Sequence, residues 1–159
     1  MNTSATAKPL FLDDLSVSDV FRSGTYCLDE QQITAFAAQF DPQPFHLDGE
    51  AAKGTLFRGL AASGWHTAAI TMRLLVESVP FGNGLIGAGS ELSWPAPTRP
   101  GDELRIETEV LAIAPSSSNP DKAIVSLQTL TLNQHGQTVQ RLIGKLVVFR
   151  RPADGASRD

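Results

Sequence analysis

One stretch limits the architecture of this chain more than any other: "ASGWHTAAITMRLLVESVP", Ala62 to Pro80. Trp65, Ala68, Ala69, Met72, Leu75, Val76 and Val79 follow 3-1-3-3-1-3 spacing, which places them on one face of an α-helix. Ser63 is a good N-cap, and Pro80 is a hard stop because its ring fits no helix interior. Ile70 and Leu74 widen the apolar stripe, so burial on more than one side is expected. After Pro80 the pattern changes. Val, Ile, Thr and Leu recur in partial alternation, broken by turn signals at "RPGD", "PSSSNPD" and "NQHGQ". Four or more antiparallel strands joined by hairpins are predicted. One long helix followed by a meander argues an α+β fold, with a curved antiparallel sheet packed on the helix.

The first third adds smaller elements. "GTYCLDEQQITAFAAQF" reads as a short strand followed by a helix. Asp29 is its N-cap, with Gln32 in the capping-box position, and Ile33, Phe36, Ala37 and Phe40 share one face. The helix is predicted to end at Asp41, because Pro42 disfavours helical geometry in the residue before it. "LDGEAAKG" predicts a short helix capped by Asp48 and ended at Gly54. "GNGLIGAG" follows the proline stop and opens no helix, so it is read as a flexible loop.

Length and composition set outer limits. At 159 residues the chain fits one domain, read as 1–151 followed by a polar tail, 152–159, that is expected to fray. A net charge of -4 gives no global attraction to nucleic acid or anionic membrane. Cys27 stands alone, which leaves no internal disulfide and no Cys-rich zinc site. The N-terminal "MNTSATAKPLFLDDL" has no apolar signal core, and no stretch reaches the ~18 apolar residues of a membrane span. A cytoplasmic location is the expectation.

The segment "FDPQPFHLD" carries the first candidate chemistry. Asp41 and His46 lie five residues apart, with Pro42 and Pro44 restricting the backbone between them. Imidazole, with an ordinary pKa of ~6.5, can take and give a proton near neutral pH, and a carboxylate can orient it. The plainer reading is that Asp-Pro begins a turn and His46 is a half-buried loop residue. Ser63-Gly64 is the second candidate. Backbone N–H groups in the first turn of a helix lack partners and can receive a developing oxyanion, and glycine allows close approach. Its alternative is an ordinary helix start. His66 and His46 lack a third metal ligand, and His135 is read as solvated in a hairpin turn, so no metal is expected. Lys53, Arg58, Arg73 and Arg99 are the cations available for phosphate contacts.

From about Leu28 to Val148 these pieces together resemble the MaoC-like dehydratase family, which includes (R)-specific enoyl-CoA hydratases. The family motif D-x-N-P-x-H-x-D is similar to "DPQPFHLD", with Asp41, Pro44, His46 and Asp48 matching and Gln43 where Asn is usual. A glycine opens the family's central helix about eighteen residues after the histidine, which corresponds to Gly64, with Ser63 where His is frequent. "APTRPGDEL" resembles the family's P-V-x-x-G-D-x-L segment. Met72 falls where some hydratases carry a serine that supports the dyad.

The resemblance implies a single hotdog fold, a curved sheet wrapped around a central helix. It implies an Asp41–His46 catalytic dyad, and an oxyanion donor at the Gly64 N–H. Gln43, Phe45, Ser63 and Trp65 are the expected substrate contacts. Phe57, Met72, Phe81 and Trp94 are further candidates for shaping the pocket. The implied activity is reversible hydration of an enoyl-CoA by a homodimer or an assembly of dimers. CoA belongs to the substrate, and no separate cofactor, metal or nucleic acid is implied. Two alternatives share these residues: a thioesterase of the same fold, and a non-catalytic acyl-CoA-binding subunit.

Overall fold

The structure is a computed structural model that describes residues 7–154. The fraying expected of residues 155–159 lies outside the described residues. In chain order a 3-10 turn at Leu12–Asp14 precedes β1 (Val20–Arg22), β2 (Tyr26–Cys27) and helix α1 (Glu30–Phe40). Two short helices follow, α2 (Pro44–Leu47) and α3 (Gly49–Lys53), then the long helix α4 (Gly64–Ser78). Strands β3 (Ile86–Ser93), β4 (Glu103–Pro115), β5 (Lys122–Leu132) and β6 (Thr138–Phe149) complete the chain.

Local chemistry explains the boundaries. The Asp29 side chain accepts from the Gln32 N–H at 2.7 Å, and the Gln32 side chain accepts from the Asp29 N–H at 2.9 Å, closing the predicted capping box. Asp41 is the C-cap of α1, and its N–H donates to the Ala37 carbonyl. Asp48 caps α3 and Ser63 caps α4 through their side chains, each such cap contributing about 1 kcal/mol.

The strands form one antiparallel sheet in the order β1-β4-β5-β6-β3, with β2 also paired to β4. The hairpins β4–β5 and β5–β6 fall at "PSSSNPD" and "NQHGQ" as predicted. β3 differs: it pairs with β6, not with the β4 that follows it, so the chain crosses over between them. The residues Ile86–Gly89 of "GNGLIGAG" belong to β3, which corrects the loop reading. Glycine left that stretch without a side-chain alternation to reveal it. Register shifts at Gly87/Gly89, Val110/Ala112 and Thr131/Leu132 bend the strands, which lets the sheet curve around α4 as a hotdog.

The core lies between α4 and the sheet, where Ile70, Leu74 and Leu75 join Ile106, Val110, Val125, Leu127 and Val139. Leu74 is fully enclosed, and truncation to alanine there costs about 2–5 kcal/mol. The buried face of α4 follows the stripe read from spacing only in part: Leu75 and Val79, with the widening Ile70 and Leu74, are buried. Trp65, Met72 and Val76 are 59%, 47% and 58% exposed, while Thr67, Ile70, Thr71 and Leu74 face inward. The cause is threonine. Thr71 Oγ1 lies 2.6 Å from Thr131 Oγ1, and Thr67 Oγ1 donates to Thr98 Oγ1 at 3.0 Å. Paired hydroxyls sit in a core at little cost, so residues counted as polar line the inner face.

Candidate active site

Pro42 keeps the end of α1 from continuing, and Gln43 is extended and serves as the N-cap of α2. Pro44 opens α2 at its first turn, where a missing N–H loses nothing. The second proline therefore starts a helical turn, and that turn carries His46 inward. His46 is 4% exposed, so the half-buried loop reading does not hold.

Its Nδ1 lies 2.6 Å from the Ala61 carbonyl oxygen. A carbonyl only accepts, so Nδ1 carries the proton, and in the neutral ring Nε2 presents a lone pair. Nε2 faces Asp41 Oδ2 at 3.4 Å. Phe45 packs edge-on to the imidazole at 4.6 Å between centroids, and Phe57 lies at 5.8 Å.

Asp41 is held from both oxygens. Ser63 Oγ donates to Oδ2 at 2.6 Å, and Gln43 Nε2 donates to Oδ1 at 2.6 Å. Burial pushes the carboxyl pKa up, but the bonds from Ser63 and Gln43 and the adjacent His46 outweigh it and hold it below its ordinary value. Ser63 Oγ also accepts from the Trp65 N–H at 3.2 Å. One hydroxyl thus caps α4 and fixes the carboxylate.

Gly64 is the first residue of α4, and among the described residues its N–H meets no acceptor. The Trp94 ring lies over it, and a Cβ at this position would come within 2.7 Å of a ring carbon. His46, Gly64, Phe57, Thr67, Trp94 and Thr98 are among the walls of a cleft of about 390 Å³. Arg99 ties the loop beside it: its guanidinium donates to the carbonyls of Gly59 at 2.9 Å, Leu60 at 3.2 Å and Phe57. The next residue, Ala61, donates to the Phe45 carbonyl at 3.1 Å and accepts from His46.

The structure brings Asp41, His46 and Gly64 together from three separate elements. It places the four expected substrate contacts differently. Ser63 is fully buried, and its hydroxyl and the Gln43 amide both engage Asp41. Phe45 backs the imidazole. Trp65 lies outside the cleft, edge-on to Trp94 with centroids 5.5 Å apart. Met72 lines a second, apolar cleft of about 380 Å³ along α4, and Phe81 belongs to the core.

His66 is buried and stacked on Phe36, away from any third ligand, and among the described residues no group of His, Cys, Asp and Glu is arranged to hold a metal. Lys53 pairs with Glu50, Arg73 with Glu77, and Arg99 with its loop, so these side chains have intramolecular partners. The Ala61 carbonyl and the Arg99 tie were not foreseen. A backbone acceptor has no residue-type signal, and a lone arginine in "TRPGD" looks like any surface cation. No helix of the described residues is long and apolar enough to cross a membrane.

Comparison with known proteins gives matches over most of the chain. The family model for the MaoC-like domain matches residues 3–130. The crystal structure of a MaoC-like dehydratase from Rhodospirillum rubrum superposes with a TM-score of 0.90 at 66% identity, covering 91% of this chain and 99% of that one. An uncharacterized protein, YdeM, from Bacillus subtilis is 34% identical over 79% of this chain and 87% of its own length. The (R)-specific enoyl-CoA hydratase of Aeromonas caviae is 36% identical over 66% of this chain and 75% of its own. With a sheet that wraps its central helix, an Asp–His pair ahead of that helix, and a family match over most of its length, the chain belongs to the MaoC-like dehydratase family.

Proposed function

We propose that the protein hydrates enoyl-CoA thioesters reversibly, with Asp41 and His46 as the acid–base pair and the Gly64 N–H as the oxyanion donor. The observation that carries this reading is the hydrogen-bond polarity of the dyad. With His46 neutral and Asp41 ionised, the facing atoms Nε2 and Oδ2 are both acceptors, 3.4 Å apart. No proton lies between them. A water molecule can donate one O–H to each, and its oxygen lone pair then points away from both. That is the orientation a nucleophile needs.

In the hydration direction the water oxygen forms a bond to C3 of the enoyl thioester. The C2=C3 π pair shifts toward C1, and charge gathers on the thioester oxygen, which Gly64 N–H and the positive end of α4 stabilise. One water proton passes to the dyad, and the dyad returns a proton to C2. The facing atoms of the two groups lie 3.4 Å apart, so the acid and base roles are assigned to the pair. Asp41, held ionised by Ser63 and Gln43, supports a positively charged imidazole during the step.

A homodimer is part of this proposal. Edge strand β3 and the exposed Trp65, Met72 and Val76 offer a second copy both unpaired backbone and apolar surface.

The test is incubation with four-carbon and longer trans-2-enoyl-CoAs, followed by separation of products. Formation of 3-hydroxyacyl-CoA is expected. Release of free CoA thiol without hydroxyacyl product would point to thioester hydrolysis instead, and acyl-CoA binding without turnover would point to a binding subunit.

A further inference from the structure

We propose that Trp94 and Gln140 form a gate that limits the acyl-chain length the site accepts; this rests on the hydratase reading above. Two clefts lie along α4. The first holds His46 and Gly64, and Trp94 is one of its walls. The second begins one turn on at Ala68 and runs past Met72 and Leu75 against the sheet. Its walls are leucine, alanine, methionine and glycine apart from Ser90, Thr129 and Gln140, a lining suited to methylene groups. One hydrogen bond ties a wall of each cleft together: Trp94 Nε1 donates to Gln140 Oε1 at 2.9 Å, with Trp94 lining the first cleft and Gln140 the second.

The two partners are held unequally. Gln140 is fully buried, and its Nε2 donates to Thr71 Oγ1 at 3.0 Å, which is itself paired with Thr131. An indole N–H only donates, so the amide has one workable orientation. Trp94 is 42% exposed, and Gln140 is its one hydrogen-bond partner among the described residues. Its ring lies over the backbone of α4 at Gly64, which blocks movement toward the helix. A thioester oxygen at the Gly64 N–H directs its acyl chain toward Ala68, across the indole. Short chains end before the gate, and long ones need Trp94 to swing away.

The experiment compares kcat/KM on four-carbon and twelve-carbon trans-2-enoyl-CoA for the wild type, Trp94→Ala and Gln140→Leu. The wild type prefers the short substrate. Trp94→Ala raises the long-to-short ratio about tenfold or more, and Gln140→Leu moves it the same way by less. Unchanged ratios in folded variants overturn the gate. If Trp94→Ala fails to fold, Trp94→Phe, which keeps the bulk and loses the N–H, takes its place beside Gln140→Leu. Calorimetric binding of saturated acyl-CoAs separates this inference from the reaction itself. Affinity in Trp94→Ala, or in Gln140→Leu if that variant alone folds, is expected to climb with chain length more steeply than in the wild type, by up to about fourfold per methylene. Equal dependence on length in wild type and variant overturns the gate even if no enoyl-CoA is hydrated. No hydration by the wild type, together with a length dependence that differs, overturns the hydratase reading alone.

Discussion

His46 and His66 are both buried imidazoles, and their surroundings are opposites. Around His46 every polar position is defined: Nδ1 donates to Ala61, and Nε2 faces a carboxylate that is itself held by Ser63 and Gln43. His66 stacks on Phe36 with ring centroids 4.5 Å apart and planes 4° from parallel, and among the described residues its buried Nδ1 has no partner. Burial alone holds its pKa below the ordinary value. The contrast teaches that burial does not make an imidazole an acid–base group. A fixed donor on one nitrogen and a stabilising anion at the other do.

The largest effect that sharpens this contrast is at His46. His46→Ala or Asp41→Asn is expected to lower kcat for enoyl-CoA hydration by about 10²–10⁴-fold, the usual worth of a positioned acid–base group. Circular dichroism should show the fold retained. Full-rate hydration in either variant would remove the distinction between the two histidines.

Arg99 tests whether the anchoring of His46 matters beyond its presence. Arg99→Ala frees the carbonyls of Phe57, Gly59 and Leu60, one residue before the carbonyl that fixes the His46 tautomer. We expect kcat to fall about tenfold with KM less affected, because a small misplacement of a reacting group is costly. Arg99→Lys should recover only part of it, since an ammonium cannot span three carbonyls as the planar fork does. A drop in thermal stability with unchanged kcat would make Arg99 purely structural.

Ser63→Ala removes a bond from Asp41 and the cap from α4 together. Loss of the cap costs about 0.5–2 kcal/mol in chemical denaturation. The carboxyl also loses a donor that lowers its pKa, so the pKa rises. Because the folded-state pKa is depressed, the associated stability is present above the unfolded value of ~3.9 and is lost as pH falls through the folded value. In Ser63→Ala that loss, and the acid limb of the kcat/KM profile, shift to higher pH. An acid limb that stays in place would show that Ser63 acts on the helix alone.

These residues also show how far sequence reasoning reaches. Asp29 with Gln32, Ser63 before α4 and the turns flanking β5 were legible because caps and turns depend on residues a few positions apart. The Asp41, His46 and Gly64 constellation was legible only through motif spacing, since 22 residues separate Asp41 from Ser63, the hydroxyl that holds it. Gln43 and Ser63, which depart from the family pattern, proved to be the two side-chain donors to Asp41. The threonines on the inner face of α4 were missed because threonine's polarity in isolation does not reveal a partner 60 residues away. Trp94 was visible as a large aromatic, but its bond to Gln140 is a tertiary fact with no local signal.

The smallest effect falls at His66, and it separates the two histidines from the other side. Its folded-state pKa lies below the ordinary ~6.5, so between those values the unfolded chain takes up a proton that the folded protein refuses. Stability is therefore fully present above the ordinary pKa and declines as pH falls toward the folded value. His66→Phe keeps an aromatic ring to stack on Phe36 and removes the titrating group. Denaturation midpoints compared at pH 7.5 and 5.5 should fall less in this variant than in the wild type, while the rate of hydration at pH 7.5 changes little. An unchanged decline would mean that other groups dominate in this range. A large loss of activity would mean that the second imidazole, 20 positions from the first in the chain, belongs to the chemistry after all.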